Sequence, residues 1–219
     1  ASDVYKRQHE PVPQSGAAKP LILDPKKGHV LKKVTNMPLS CYIQMVEWVS
    51  TCKERSSMGF FNFHKKTELL APMTGRVIPL EKVPDAVFSQ KTLGEGAAIM
   101  PEDGLVTAPC DGTIAYVPDT KHAIALTSTK GVEVLIHVGI DTVSLQGEGF
   151  DALVKEGDSV SRGQGLLQVD LSLLASKKMN PVTPLVVTGG AASITLLQKE
   201  GTRVESGKDA IVSVKEEEE

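Results

Sequence analysis

The chain has 219 residues, 41% hydrophobic and 23% charged, with a net charge of −3, the balance of an ordinary soluble globular protein. That charge, with no basic stripe and no interleaved aromatics, argues against a nucleic-acid partner. No apolar run approaches the ~20 residues that cross a bilayer, the start lacks a signal-peptide core, and three cysteines, Cys41, Cys52 and Cys110, make no disulfide framework; the sequence reads as cytoplasmic.

Residues 1–57 show no clear periodicity. Their opening "SDVYKRQ" resembles translated adapter sequence, and Glu54-Arg55-Ser56-Ser57 before Met58 admits codons containing a ribosome-binding AGGAG. They are expected to be a disordered or non-native leader with Met58 as the start; a linker to an upstream domain stands beside that expectation. Residues 58–66 follow as an N-terminal segment, 67–215 as the folded domain and 216–219 as an acidic tail.

From Thr67 onward, β-rich runs alternate with turns: "ELLAPMTGRVIPL", "GAAIMPEDGLVTAPCDGTIAYV", "HAIALTSTKGVEVLIHV", "GLLQVD", "PLVVTGG" and "DAIVSV". This spacing predicts an all-β protein, an antiparallel sandwich or barrel. Helix is expected only in short pieces, in "GFDALVKE" and "DLSLLASKK". Two internal repeats imply a duplicated β unit. "LLAPMTGRVIPL" from Leu69 recurs as "VTAPCDGTIAYV" from Val106, and "KEGDSVSRGQG" from Lys155 recurs as "KEGTRVESGKD" from Lys199.

His122 and His137 are the two histidines of this β-rich part, and they flank the turn "STKG" at Ser128–Gly131. A two-residue turn centred on Thr129 and Lys130 pairs Ser128 with Gly131, Thr127 with Val132 and His122 with His137. Directly opposed residues of an antiparallel pair share a face with Cβ atoms about 5 Å apart. Alternation then puts Ile124, Leu126, Glu133 and Leu135 on the histidine face and Val134, Ile136 and Val138 on the other. Beyond His137, Gly139 offers close backbone approach, and Asp141 a partner for a ring N–H or a cation. A neutral imidazole whose one N–H is held by an acceptor presents its other nitrogen as a nucleophile, and a second imidazole can steady a transferred phosphoryl group. The residues alone leave open a purely structural pair, and a shared zinc ion that would need a third ligand.

"HAIALTSTKGVEVLIHVGIDTVSLQGEGF", with "APMTGRVIPLEKVPDAVFSQKTLGEGAAIMP" before it and "VKEGDSVSRGQGLLQVDL" and "NPVTPLVVT" after it, resembles the glucose-type enzyme IIA family of the bacterial phosphoenolpyruvate-dependent sugar phosphotransferase system. The resemblance implies an antiparallel β-sandwich of the duplicated hybrid motif and a phosphotransferase that works through a phosphohistidine. His137 would accept the phosphoryl group from the carrier protein HPr and pass it to a cysteine of a sugar-specific enzyme IIB domain. It gives His122 the role of hydrogen-bonding the phosphate and Thr120 that of orienting His122, with Asp141 beside them. Phe88, Val138, Gly139 and Val143 are implied as the docking rim. No intrinsic cofactor is implied; in some family members His122 and His137 hold zinc together with a carboxylate of a regulated partner, such as a transporter or kinase.

Three rivals come from other classes. "VKEGDSVSRGQGLLQVD" also resembles a biotinyl or lipoyl carrier, but no lysine stands on a tight hairpin after it, and Lys177 and Lys178 are wrongly placed. A zinc peptidase on the same duplicated motif would need more histidines. A non-catalytic interaction module predicts that His137→Ala keeps function. Cys110, in "APCDG", aligns with Met73 of the first repeat and reads as a packing residue.

Overall fold

The computed structural model describes residues 22–23, 30–31 and 66–216. Apart from residues 22–23 and 30–31 the leader, with most of the N-terminal segment and residues 217–219, lies outside the described residues. A short antiparallel ladder, β1 (Ile22–Leu23) with β2 (Val30–Leu31), belongs to a unit of its own.

The remaining strands are β3 (Lys66–Leu70), β4 (Gly75–Pro79), β5 (Glu95–Pro101), β6 (Leu105–Thr107), β7 (Gly112–Tyr116), β8 (Ala123–Ser128) and β9 (Glu133–His137). They continue as β10 (Phe150–Ala152), β11 (Ser159–Val160), β12 (Gly165–Val169), β13 (Thr183–Gly189), β14 (Ala191–Leu196), β15 (Arg203–Val204) and β16 (Ala210–Glu216). An eight-stranded sheet runs in the order β11-β7-β8-β9-β13-β5-β4-β15, and two three-stranded sheets run β10-β12-β6 and β14-β16-β3. The order is a palindrome about the β9/β13 pair. Ile136 faces Leu185 there, and each half repeats the other outward from that point.

Hydrogen bonds carry the duplication in detail. The Ile114 N–H donates to Asp158 O at 2.9 Å as Val77 N–H donates to Thr202 O at 3.0 Å, and Gly157 N–H meets Ile114 O as Gly201 N–H meets Val77 O, both at 2.9 Å. The Ala-Pro turns exchange bonds across the axis, Leu70 N–H to Pro109 O and Thr107 N–H to Pro72 O. The predicted all-β class and internal repeats therefore hold, as an open sandwich rather than a closed barrel.

The main core lies between the large sheet and the two small ones. Val77, Ile99, Ile114, Ile124, Leu126, Val134, Ile136 and Leu185 from one side meet Leu69, Val106, Leu167, Val169 and Val212 from the other. A smaller cluster, Leu80, Val83, Phe88, Ala98, Ile140, Val182 and Val186, covers the opposite face of the large sheet. Its lid is the 3-10 turn Leu80–Lys82 and the short helix Ala86–Ser89. That helix starts where Asp85 Oδ1 accepts the Val87 N–H at 2.8 Å and the Phe88 N–H at 3.3 Å, satisfying amides that have no partner inside the helix.

Three details depart from the sequence reading. "GFDALVKE" contributes the strand Phe150–Ala152, paired with β12, whereas "DLSLLASKK" does form a helix, Leu171–Ser176, capped by Asp170. Glu216, assigned to the acidic tail, ends β16 opposite Ala191. The third departure concerns the β8–β9 turn. Its loop has three residues, because Ser128 pairs with Val132 and Gly131 takes φ +81, the left-handed position such loops demand. The Ser128 hydroxyl secures it by accepting the N–H groups of Lys130 and Val132. Every pair downstream shifts by one, so Ala123, not His122, faces His137. Ile124 and Leu126 accordingly join Val134, Ile136 and Val138 in the main core, against the predicted face.

No described helix is long and apolar enough to cross a membrane.

Candidate functional site

His137 is the last residue of β9, on the face of the large sheet that carries the smaller cluster. It is 4% exposed. Its Nδ1 lies 2.8 Å from the carbonyl oxygen of Gly139. A carbonyl only accepts, so Nδ1 carries the proton and Nε2 keeps its lone pair. The reach back to Gly139 needs a sharp reversal of the chain, and Gly139 supplies it at φ +72, a conformation that costs glycine little.

His122 stands at a bend just before β8, following Lys121 at φ 52. The bend brings the ring onto His137 despite the one-residue shift: the centroids are 4.9 Å apart, edge to face. Its Nδ1 lies 2.7 Å from Thr120 Oγ1. The sequence reading therefore had the right pair and the wrong register. The Phe88 ring closes another side of His137, with centroids 5.3 Å apart.

Burial sets the charge state of the pair. His122, 3% exposed, has its pKa pushed down to about 3 by burial and then by the charge of His137. Burial lowers His137 as well, opposed by its Gly139 hydrogen bond and by the negative charge of Asp85. Both rings are thus neutral near pH 7, the state in which Nε2 can attack.

Two carboxylates stand by. Asp141 is exposed, at φ 60, and partial burial followed by the charge of Asp85 raises its pKa. Asp85 acts on both His137 and Asp141 and caps the helix that carries Phe88. The sequence reading missed Asp85. Its signal was local: Pro84-Asp85 ahead of "AVFS" is a helix-start pattern.

Of the residues implied as a docking rim, Phe88 and Val138 are 2% and 1% exposed, and Gly139 is buried. Phe88 is a wall of the site and Val138 belongs to the main core. Val143, in the 3-10 turn Thr142–Leu145, retains exposed surface. Among the described residues no group of three or more His, Cys, Asp or Glu side chains could hold a metal ion. Cys110 is buried, with burial raising its thiol to about 11, and so is a packing residue rather than a nucleophile.

Residues 67–193 match the family described as phosphoenolpyruvate-dependent sugar phosphotransferase system, EIIA 1. The glucose-specific EIIA component of Oceanobacillus iheyensis is 41% identical over 150 residues, which cover 68% of this chain and 91% of that protein. The glucose-specific EIICBA component of Staphylococcus saprophyticus is 45% identical over 141 residues, covering 64% of this chain; the chain spans 21% of the length of that relative. Among solved structures, the glucose permease IIA from Mycoplasma capricolum superimposes with a TM-score of 0.63 at 36% identity, over 71% of this chain and 99% of that one. With the paired histidines, the duplicated sandwich and these matches together, the chain belongs to the EIIA 1 family of the phosphoenolpyruvate-dependent sugar phosphotransferase system.

Proposed function

We propose that the chain is a phosphohistidine carrier, taking a phosphoryl group from the phosphohistidine of HPr onto Nε2 of His137 and handing it to a cysteine of an enzyme IIB domain during sugar uptake. The observation that carries this reading is the hydrogen bond from His137 Nδ1 to Gly139 O. It leaves the lone pair of a neutral ring on Nε2, so attack needs no prior loss of a proton. In the first transfer the Nε2–P bond forms as the N–P bond to the donor imidazole breaks, and the donor keeps the electron pair of that bond. In the second, the cysteine thiolate attacks phosphorus, and the Nε2 lone pair returns to His137.

His122, in ring contact with His137 and tied to Thr120, is placed to steady the charge of the phosphoryl oxygens. Asp85 and Asp141 add negative charge near the site, which favours a partner with a basic contact surface. The family match, and relatives named EIICBA components, support an enzyme IIB domain and HPr as partners; the place of work in this reading is the cytoplasm. Zinc enters only as a bridging ion. Two imidazoles fall short of the at least three protein ligands zinc usually takes, so a carboxylate from a regulated transporter or kinase would complete the set.

Incubation of the full chain with phosphoenolpyruvate, enzyme I and HPr tests the reading. An acid-labile, base-stable phosphoprotein is expected. No phosphoprotein, or one that forms equally in His137→Ala, would overturn it.

A further inference from the structure

The acceptor that fixes the His137 ring is itself held from behind. The Gly139 carbonyl and the Ile140 N–H are the two ends of one planar peptide unit. The carbonyl accepts from His137 Nδ1 at 2.8 Å, and the N–H donates to the Asn180 carbonyl, also at 2.8 Å. Rotating that peptide to release the imidazole would break the second bond as well.

Two side chains hold this arrangement in place. Thr142 is 0% exposed, and its hydroxyl donates to Val138 O at 2.6 Å, closing the loop that contains Gly139 and Ile140. Its methyl group also fills the space beside Gly139, where a Cβ on that glycine would stand 2.5 Å from Thr142 Cγ2. The loop contains two left-handed residues, Gly139 at φ +72 and Asp141 at φ 60, and Asp141 in that conformation is costly unless its surroundings impose it. On the far side, Asn180 is fixed by its own side chain, whose Oδ1 accepts the Val182 N–H at 3.0 Å. That bond sets the turn through Pro181 and hence the direction of the Asn180 carbonyl.

We infer that Thr142 and Asn180 are positioning residues that keep His137 in its Nδ1–H tautomer by clamping the Gly139–Ile140 peptide from both sides. The buried hydroxyl has no role in the main core. Among the described residues its hydrogen bond is to the Val138 carbonyl, in the peptide just ahead of Gly139. The chain of bonds from His137 through the peptide to Asn180 also polarises in one direction, which strengthens the first link. The purpose of the clamp rests on the phosphoacceptor reading; its existence does not.

The test uses the full chain labelled with ¹⁵N-histidine, unphosphorylated, near pH 8, where both rings are neutral. The ring nitrogen shifts report which nitrogen of His137 bears the proton. Wild type is expected to show Nδ1–H. Thr142→Val keeps the shape and removes the hydroxyl, and Asn180→Ala removes the Oδ1 acceptor. Each is expected to raise the Nε2–H population roughly fivefold, the size that follows from loosening one hydrogen bond, and Thr142→Ser and Asn180→Asp are expected to restore the wild-type ratio. An unchanged ratio in folded Thr142→Val, or equal effects of valine and serine there, overturns the inference. If Thr142→Val does not fold, the half-buried Asn180 decides, and an unshifted Asn180→Ala spectrum overturns it. Phosphorylation of wild type is scored separately, so a carrier without a clamp and a clamp without a carrier give different results.

Discussion

His137 and Gly139 are joined by a 2.8 Å hydrogen bond across two residues of sequence, and the geometry that permits it admits only glycine. At φ +72, a Cβ on residue 139 would lie 2.5 Å from Thr142 Cγ2 and 3.1 Å from Asn180 O. Gly139→Ala is expected to lose about 1–3 kcal/mol of stability from strain and overpacking, and to slow phosphoryl acceptance more than the lost stability accounts for. Chemical denaturation and a time course of phosphorylation check the two parts.

Phe88 is expected to govern the ionisation of His137. The rings are in contact, and Phe88 is 2% exposed. Phe88→Ala should cost about 3–5 kcal/mol for a large buried aromatic, so Phe88→Leu is the variant for titration. Burial is the first cause that lowers His137. Opening that wall should therefore move its pKa upward, toward 6.5, as read by NMR titration. An unmoved or lowered value would show that Phe88 does not shield the ring.

The neutral histidine pair predicts a pH dependence with a definite sign. Both rings have folded-state pKa values below the ordinary 6.5, His122 at about 3. As pH falls through 6.5 the unfolded chain takes up protons that the native rings refuse, so stability falls. The slope is up to about 1.4 kcal/mol per pH unit for each histidine. Above that pH their contribution is level, and for His122 the loss ends near pH 3. Urea unfolding between pH 8 and 5 checks this, with His122→Gln/His137→Gln as the reference that removes both groups. The double variant is expected to show a flatter profile over that range.

The internal two-fold axis makes a prediction far from the site. Gly207 and Gly163 occupy matching positions in the second repeat and abut, so a Cβ on Gly207 would stand 3.0 Å from Gly163 Cα. Gly201 has a similar φ, +78 against +67, but open space around it. Gly201→Ala should therefore cost only the left-handed strain, about 1 kcal/mol. Gly207→Ala should cost measurably more, because backbone must move. Equal losses in thermal unfolding would count against a close approach at the axis.

Much of this was legible before any coordinates. Strand alternation, turn residues and two repeats are local signals, and they carry the sandwich and its duplication. That His122 and His137 lie close together was legible because one short hairpin joins them. The register was not. "STKG" fits a two-residue turn as well as a three-residue one, and the choice is made by the Ser128 hydroxyl and by Gly131 in the left-handed region. Asp85 was harder still: it reaches the site over the face of the sheet from some 50 residues upstream, no period in the sequence records that distance, and Phe88, on the same helix, was named only through the family resemblance. Nor does sequence distinguish a rim from a wall, which is why Phe88 and Val138 were expected at the surface and lie beneath it.

The central claim is that His137 is phosphorylated on Nε2 because Nδ1 is held by Gly139. The direct measurement is the ring ¹⁵N spectrum of the chain after phosphorylation by phosphoenolpyruvate, enzyme I and HPr, with coupling to ³¹P marking the bonded nitrogen. The account predicts phosphorus on Nε2 of His137 with the proton still on Nδ1, and no signal of this kind in His137→Ala. Phosphorus on Nδ1, or on His122, would contradict it.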